Sequence, residues 1–394
     1  MELLEESEMN TLIIDVETTI FQKGNPYSQR NELVCIGLKL NDNPVEVYYK
    51  NYEFESSLVR IKDIFNIENT TLVGFNLKFD LSWLERAGLY SPTKNNYRYW
   101  DCQLVEFLLN RQQTPYPDLN SVCEKYNLGK KLDVIYDKYW KNNIDTNQIP
   151  RQELTEYLIQ DINLTYNLYK KQVEVLPKSM ERITSLMNQD VAVLQQMETN
   201  GLYLDVDKVK AKNEEITKEI NNIEQKLLLE TEVKGQVNWS SHDEVSKVLY
   251  GGVVEFTQPV QVGFYKSGAK AGQPRYKYMT YSCIYPQLIK PIKNSELSKD
   301  GFWSTDIATL KQLKTNKKTK EIVNLIMKRS ELMKLSSTYL KNLPELIVKM
   351  DWKQNKLHGR FNQCVAITGR LSSSSPNLQN LPSELKQFIK SEQR

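Results

Sequence analysis

Histidine is nearly absent from this chain, with two among 394 residues, His242 and His358. That is too few to build a histidine-ligated metal centre. Cysteine is sparse as well. Cys35, Cys102, Cys123, Cys283 and Cys364 are odd in number and widely spaced, and no C-x-x-C pair occurs. Neither a disulfide framework nor a thiolate zinc site fits that pattern, and a reducing cytoplasm is the natural setting. Any metal is therefore left to carboxylates, which favour a hard ion such as magnesium or manganese. No apolar run approaches the roughly 20 residues of a membrane span. The acidic start MELLEESEMN has no basic region leading into an apolar stretch, so it does not read as a signal peptide.

What remains is ordinary globular material, 40% hydrophobic and 26% charged, long enough for two or three domains. The net charge of +3 hides an asymmetry. Residues 1–170 hold 18 Lys and Arg against 25 Asp and Glu, whereas residues 171–394 hold 34 against 24. A basic second half suits a polyanionic partner, and it equally suits a solvated lysine-rich surface.

Along the chain, TLIIDV (11–16) reads as a buried strand. Segments 33–40 and 45–49 flank turn residues and read as a hairpin, and 71–75 as a further strand. Helical patterns follow near 78–88, 101–111, 118–127 and 152–170. Together they indicate a mixed α/β domain ending near residue 178. Residues 179–230 are helical, with Ile216, Ile220, Ile223 and Leu227 on one stripe. Residues 251–300, rich in Gly, Lys and Tyr, read as an inserted β-hairpin. Helical pattern resumes over 305–350, interrupted by the basic run KQLKTNKKTK at 311–320.

Three segments carry chemistry. Asp15 and Glu17 stand two apart behind Leu12, Ile13 and Ile14, and in a strand that spacing puts both carboxylates on one face. Two acids so placed repel each other unless a cation offsets the charge. By itself the pair reads equally well as strand-end solvation. GFNLKFDLSWL (74–84) sets Asp80 in the first turn of a helix, where negative charge is favoured in any case. In EYLIQDINLTYNLY (156–169), Tyr157 and Asp161 share a helix face beside the stripe of Leu154, Leu158, Ile162 and Thr165. An ionised Asp161 on that border needs a partner, though a local hydrogen bond would serve.

Taken in order, D-x-E-T, N-x-x-x-D and Y-x-x-x-D resemble the tyrosine-bearing branch of the DEDD exonuclease superfamily, over roughly residues 10–175. The resemblance implies a ribonuclease H-like α/β domain at 1–178, with a mixed five-stranded sheet and flanking helices. It implies that Asp15, Glu17, Asp80 and Asp161 hold two divalent ions, Mg2+ or Mn2+. One would activate a water and the other steady the leaving 3′ oxygen, with Tyr157 orienting the water. Thr18 and Asn76 match positions beside the terminal nucleotide. Phe75, Leu77 and Phe79 would be wedges for terminal bases or, more plainly, core.

A second resemblance lies near the C-terminus. HGRFNQCVAITGRLSSSSPNLQNLP (358–382) is similar to the T-x-T-G-R-L-S-S and P-N-L-Q-N-I-P signature of family A DNA polymerases, with Ile367 and Leu381 as departures. Arg370 is suited to a phosphate. Asn377, Gln379 and Asn380 offer the donors and acceptors that suit a minor groove. Segments 195–209, 301–306 and 334–343 look like thumb elements of that family. Lys334 and Thr338, with Ser336 and Tyr339, would face duplex DNA, and Lys314, Lys317, Lys318 and Lys320 would sit at the thumb tip. His242-Asp243-Glu244 spells a palm motif of the family, yet in NWSSHDEVSKVL it reads as a helix start capped by Ser240 or Ser241.

The resemblance thus implies a thumb region at 179–350 and the beginning of a palm at 351–394. The family's polymerising carboxylates lie beyond the last matched motif, so the chain alone is expected to trim primers and not to extend them. Palm and fingers would come from a second polypeptide or from the rest of a longer one. The expected partners are the 3′ end of a primer strand and the primer–template duplex. A processivity factor could join at the insertion, no membrane is expected, and the flavour is phage-like. Two alternatives stand beside this proofreading role: a free-standing DEDD exonuclease acting on DNA or RNA, and a non-catalytic DNA-binding subunit.

Overall fold

The computed structural model describes residues 9–51, 54–93, 96–131, 134–233, 237–268 and 270–390. The acidic segment 1–8 and residues 391–394, which the sequence reading also touched, lie outside them. By contact the chain divides into two compact units, residues 1–206 with 343–394, and residues 207–342.

Leu12, Ile13 and Ile14 have almost no exposed surface, because β1 (Asn10–Thr18) is covered on both faces. The chain continues through β2 (Leu33–Leu40), β3 (Glu46–Tyr49), α1 (Phe54–Phe65), β4 (Thr70–Gly74), α2 (Leu77–Arg86), β5 (Arg98–Asp101) and α3 (Cys102–Leu109). After α4 (Leu119–Lys125) and α5 (Val134–Lys138) come the long α6 (Arg151–Val175) and α7 (Glu181–Asn200). The sheet has the order β3-β2-β1-β4-β5, with β1 antiparallel to β2 and parallel to β4. This is the mixed five-stranded sheet that the exonuclease resemblance implies. Helix α1 and strand β5 are additions to the sequence reading. The four residues of β5 end in Asp101, whose capping character marks the start of the next helix and hides the strand.

Strand alternation decides what each face meets. Leu12, Ile14 and Val16 share a core with α2 and α7, whereas Ile13 joins the core of Leu154, Tyr157, Leu158 and Ile162 on α6. Asp15 and Glu17 have the parity of Ile13, so they face α6. The close seat of that helix depends on Gly37, which pairs with Asp15 across β1 and β2. A Cβ there would lie 2.2 Å from Ile162 Cδ1 and 3.0 Å from Leu158 Cγ.

Beyond α7 follow β6 (Leu202–Leu204), α8 (Val206–Thr231), α9 (His242–Tyr250), β7 (Gly252–Phe264), β8 (Pro274–Tyr285), α10 (Ile307–Leu310) and α11 (Lys317–Lys334). A π-helical stretch, Leu335–Lys341, leads into α12 (Asn342–Lys349). The chain then runs through β9 (Lys356–Leu357), β10 (Arg360–Asn362), β11 (Ser372–Ser374), α13 (Ser383–Lys386) and β12 (Ile389–Lys390). In the 207–342 unit the stripe of Ile216, Ile220, Ile223 and Leu227 is buried, as expected for packing within a domain. Arg329 is buried there too. It pairs with Glu224 at 2.6 Å and donates to Trp239 O at 2.9 Å and Ser240 Oγ at 3.0 Å. Ser241 caps α9 by accepting from Glu244 N at 3.3 Å, so the His242-Asp243-Glu244 string is a helix start. The insertion forms the expected hairpin, β7 against β8, with Tyr276 and Tyr278 exposed.

Replacing Gly37 with Ala should force α6 off the sheet or distort Ile162. A loss of about 1–3 kcal/mol in chemical denaturation is expected, and wild-type stability in that variant would contradict the close seat.

Candidate active site

Oxygens of Asp15, Glu17 and Asp161 lie within 4.8 Å of one another. Two of these residues come from the end of β1 and one from the middle of α6. A register shift between Glu17 and Thr18 breaks the β1–β2 ladder at this point, which is where bulges commonly redirect side chains. Glu17 and Asp161 are buried and Asp15 is half-buried. Asp80 approaches from α2 and is also buried. Its Oδ1 accepts the backbone N–H of Val16 at 3.2 Å, fixing the peptide that follows Asp15. The oxygens of Asp80 are not within the 4.8 Å group.

The three acids are poorly solvated and mutually repulsive. Burial pushes the Asp15 carboxyl up to about 7, with the charge of Asp161 adding to the rise. Glu17 is raised by burial and then by Asp15, and Asp80 by burial and then by Asp15. Tyr157 lies one helical turn before Asp161 and is buried edge-on against Trp140, ring centroids 5.8 Å apart. Burial and the neighbouring carboxylates push its phenol far up, so it is a neutral hydroxyl.

Lys131, absent from the sequence expectations, supplies positive charge. Its Nζ forms an ion pair with Asp161 Oδ2 and stands 4.5 Å from the centre of the Tyr157 ring. Burial opposes its charge, but Asp161 and Asp15 hold the ammonium above its ordinary value. No sequence signal marks this lysine. It stands 30 residues from Asp161 in a lysine pair that reads as solvated loop.

Asp101 is the other residue that the motifs do not reveal. It caps α3 through Gln103 N at 3.0 Å, and also accepts from Asn76 N at 3.0 Å and Leu77 N at 3.1 Å. One carboxylate thus satisfies the first N–H groups of two helices and fixes the start of α2. Asn76 sits in the left-handed region, φ 65°, and is exposed. It lines a cavity of about 420 Å³ with Asp15, Phe75, Tyr116, Lys131 and Asp161. A second cleft of about 520 Å³ shares Asn76, Gln103 and Tyr116 with the first and extends past Lys23, Phe79 and Arg360.

Leu77 is core, and Phe75 and Phe79 are partly buried cleft walls. Thr18 is buried, with Oγ1 donating to Thr19 O at 3.2 Å, and it packs against Gly24. Arg370, Asn377, Gln379 and Asn380 are exposed on the C-terminal loop and line neither cavity. Lys334 and Thr338 are exposed in the other unit, at the end of α11 and in the π-helical stretch. Both histidines are engaged away from the acids. His242 Nδ1 meets Thr305 Oγ1 at 2.8 Å, and His358 stacks on Tyr27 at 4.3 Å with Nδ1 2.8 Å from Glu198 O.

Residues 2–177 match the family described as 3′-5′ exonuclease, and residues 282–394 match DNA polymerase family A. The chain is thus similar to the 3′-5′ exonuclease family over its first part and to DNA polymerase family A over its last. DNA polymerase I of Synechocystis sp. is 28% identical over 362 residues, covering 89% of this chain and 32% of that protein. DNA polymerase I of Borreliella burgdorferi is 28% identical over 345 residues, covering 86% and 32%. The thermostable DNA polymerase I of Thermus aquaticus is 32% identical over 192 residues, covering 48% and 18%. The chain therefore spans about a third of the length of the first two. In fold it is similar to the POL domain of Pol1 from M. smegmatis, solved in complex with DNA primer-template and dNTP. The TM-score is 0.60 at 15% identity, covering 95% of this chain and 52% of that one. The exonuclease match at 2–177 contains the whole acidic cluster. Among the described residues, no helix is long and apolar enough to cross a membrane.

The raised Asp15 carboxyl has a measurable consequence. A carboxyl near 7 in the fold and near its ordinary value when unfolded stabilises the metal-free fold at low pH. That contribution is lost as pH rises through about 7. Asp15→Asn should therefore raise the Tm of the metal-free protein by about 2–5 °C at alkaline pH. At acid pH it should change little, and an alkaline Tm at or below wild type would contradict the strained-acid account.

Proposed function

We propose that this chain is a metal-dependent 3′–5′ exonuclease that trims the 3′ end of DNA, as the proofreading part of a family A polymerase. The convergence of Asp15, Glu17 and Asp161 within 4.8 Å carries the reading. Three half-buried or buried carboxylates, with the Asp15 and Glu17 carboxyls raised by burial, are suited to a divalent cation, and the chemistry of an all-oxygen donor set selects Mg2+ or Mn2+. In this proposal the three acids hold the ions directly. Asp80 takes part from its anchored position on Val16 N, and two ions are bound in all.

Bound metal supplies positive charge for the phosphodiester and acidifies a water. The protein's own groups do the rest. The neutral hydroxyl of Tyr157, locked by Trp140, holds a water by hydrogen bonding and orients it toward phosphorus. Asn76, held in place by Asp101, contacts the terminal nucleotide, and Thr18 shapes the floor beside it. The adjoining cleft offers Phe79 and Tyr116 for base stacking, and Lys23 and Arg360 for backbone phosphates, which suits a single strand of any sequence. The exposed Arg370, Asn377, Gln379 and Asn380 contact the primer–template duplex, and Lys334 and Thr338 are duplex-contacting residues of the 207–342 unit. The match at 282–394 favours DNA over RNA as substrate. We assign the exonuclease unit to residues 1–178, the thumb region to 179–350 and the start of the palm to 351–394, in a cytoplasmic protein.

The direct test is degradation of end-labelled single-stranded DNA with Mg2+ and with EDTA. Asp15→Ala should lower trimming by at least about 100-fold, with DNA binding close to wild type because the phosphate contacts lie elsewhere. If Asp15→Ala trims at the wild-type rate, the site is misassigned.

A further inference from the structure

We infer that Lys131 is a resident counter-cation of the acidic cluster, holding the metal-free site together and giving way when a divalent ion is bound. The inference rests on the function proposed above and concerns a residue outside the four acids and the tyrosine. Lys131 lies in the connection between α4 and α5. Its backbone is fixed there by donation of its N–H to Asn120 Oδ1 at 2.8 Å. The side chain turns inward to Asp161 Oδ2, over the Tyr157 ring, and lines the same cavity as Asp15.

Charge counting gives the reason. Three carboxyl groups within 4.8 Å share one ammonium, so Lys131 offsets the charge of Asp161 and with it part of the repulsion in the cluster. A buried carboxylate that loses its charged partner destabilises the fold around it. An ammonium bonded to Asp161 Oδ2 also competes with any cation for that oxygen and repels it at short range. The lysine is well suited to release, because its stem is long and its side chain is 27% exposed. Lys131 therefore sets the divalent-ion concentration at which the nuclease loads, and it keeps the cluster folded below that concentration.

The test uses the full chain in three forms: wild type, Lys131→Met and Lys131→Arg. Without metal, Lys131→Met should melt below wild type, whereas Lys131→Arg should melt close to it. In Mn2+ titrations followed by calorimetry, Lys131→Met should bind at least about tenfold more tightly than wild type. Its Tm should also rise more on metal addition. Where Lys131→Met does not fold, the wild type alone decides. Under reductive methylation read by mass spectrometry, Lys131 should be protected in EDTA and several-fold more reactive with Mg2+. An unchanged metal-free Tm together with unchanged or weaker Mn2+ binding in Lys131→Met would overturn the inference, as would equal Lys131 reactivity with and without Mg2+. A wild type that binds no Mn2+ sinks the proposed function itself. One that binds Mn2+ while Lys131 stays protected sinks only the role given to the lysine.

Discussion

Repulsion among three carboxylates at the edge of a hydrophobic core is the constraint on which this structure turns. Asp15 and Glu17 leave a strand whose preceding residues are solvent-free, and Asp161 comes toward them from a helix packed on the same face. Water cannot relieve the charge there as it would on a surface, so cations must. A fold that stabilises itself alone has no use for such a cluster. Retaining one is understandable only if binding a divalent ion compensates, which is the physical basis for reading a nuclease here.

The rest of the first unit keeps the three acids close. Alternation along β1 separates the apolar residues that anchor the strand from the acids that face α6. Gly37 lets that helix approach, and Trp140 closes on Tyr157. From the other side, Asp80 and Asp101 spend their charge on backbone N–H groups. One fixes the peptide after Asp15 and the other fixes the beginning of α2. These two carboxylates are alike in burial, and each anchors backbone beside the acidic cluster. The cavity at the cluster shares Asn76, Gln103 and Tyr116 with a larger cleft that has mixed aromatic and basic walls.

How far the sequence disclosed this depends on the range of the interactions involved. The D-x-E pair, the Y-x-x-x-D pair and the strand and helix under each were legible, because local periodicity fixes which side chains share a face. An N-cap at Ser240 or Ser241 was legible for the same reason, and it disposed of the misleading His242-Asp243-Glu244 string; the tertiary structure puts the cap at Ser241. The family motifs at both ends of the chain set the fold class, and the five-stranded sheet and the comparisons agree with it. Lys131 was not legible. Its partner is distant in the chain, and a lysine pair beside a glycine looks like solvated loop. Asp101 was half legible: its capping of α3 follows from local pattern, whereas its hold on Asn76 and Leu77 needs the tertiary fold. Strand β5 escaped because four residues ending in a helix cap offer too little alternation to register.

The account stands or falls on whether those carboxylates share a cation. Crystals of the chain soaked in Mn2+ and measured at the manganese absorption edge would show it. The account predicts an anomalous peak in coordination contact with Asp15, Glu17 and Asp161, with the Lys131 ammonium withdrawn from Asp161. Manganese bound only elsewhere, or three side chains pointing apart with no peak between them, would contradict it.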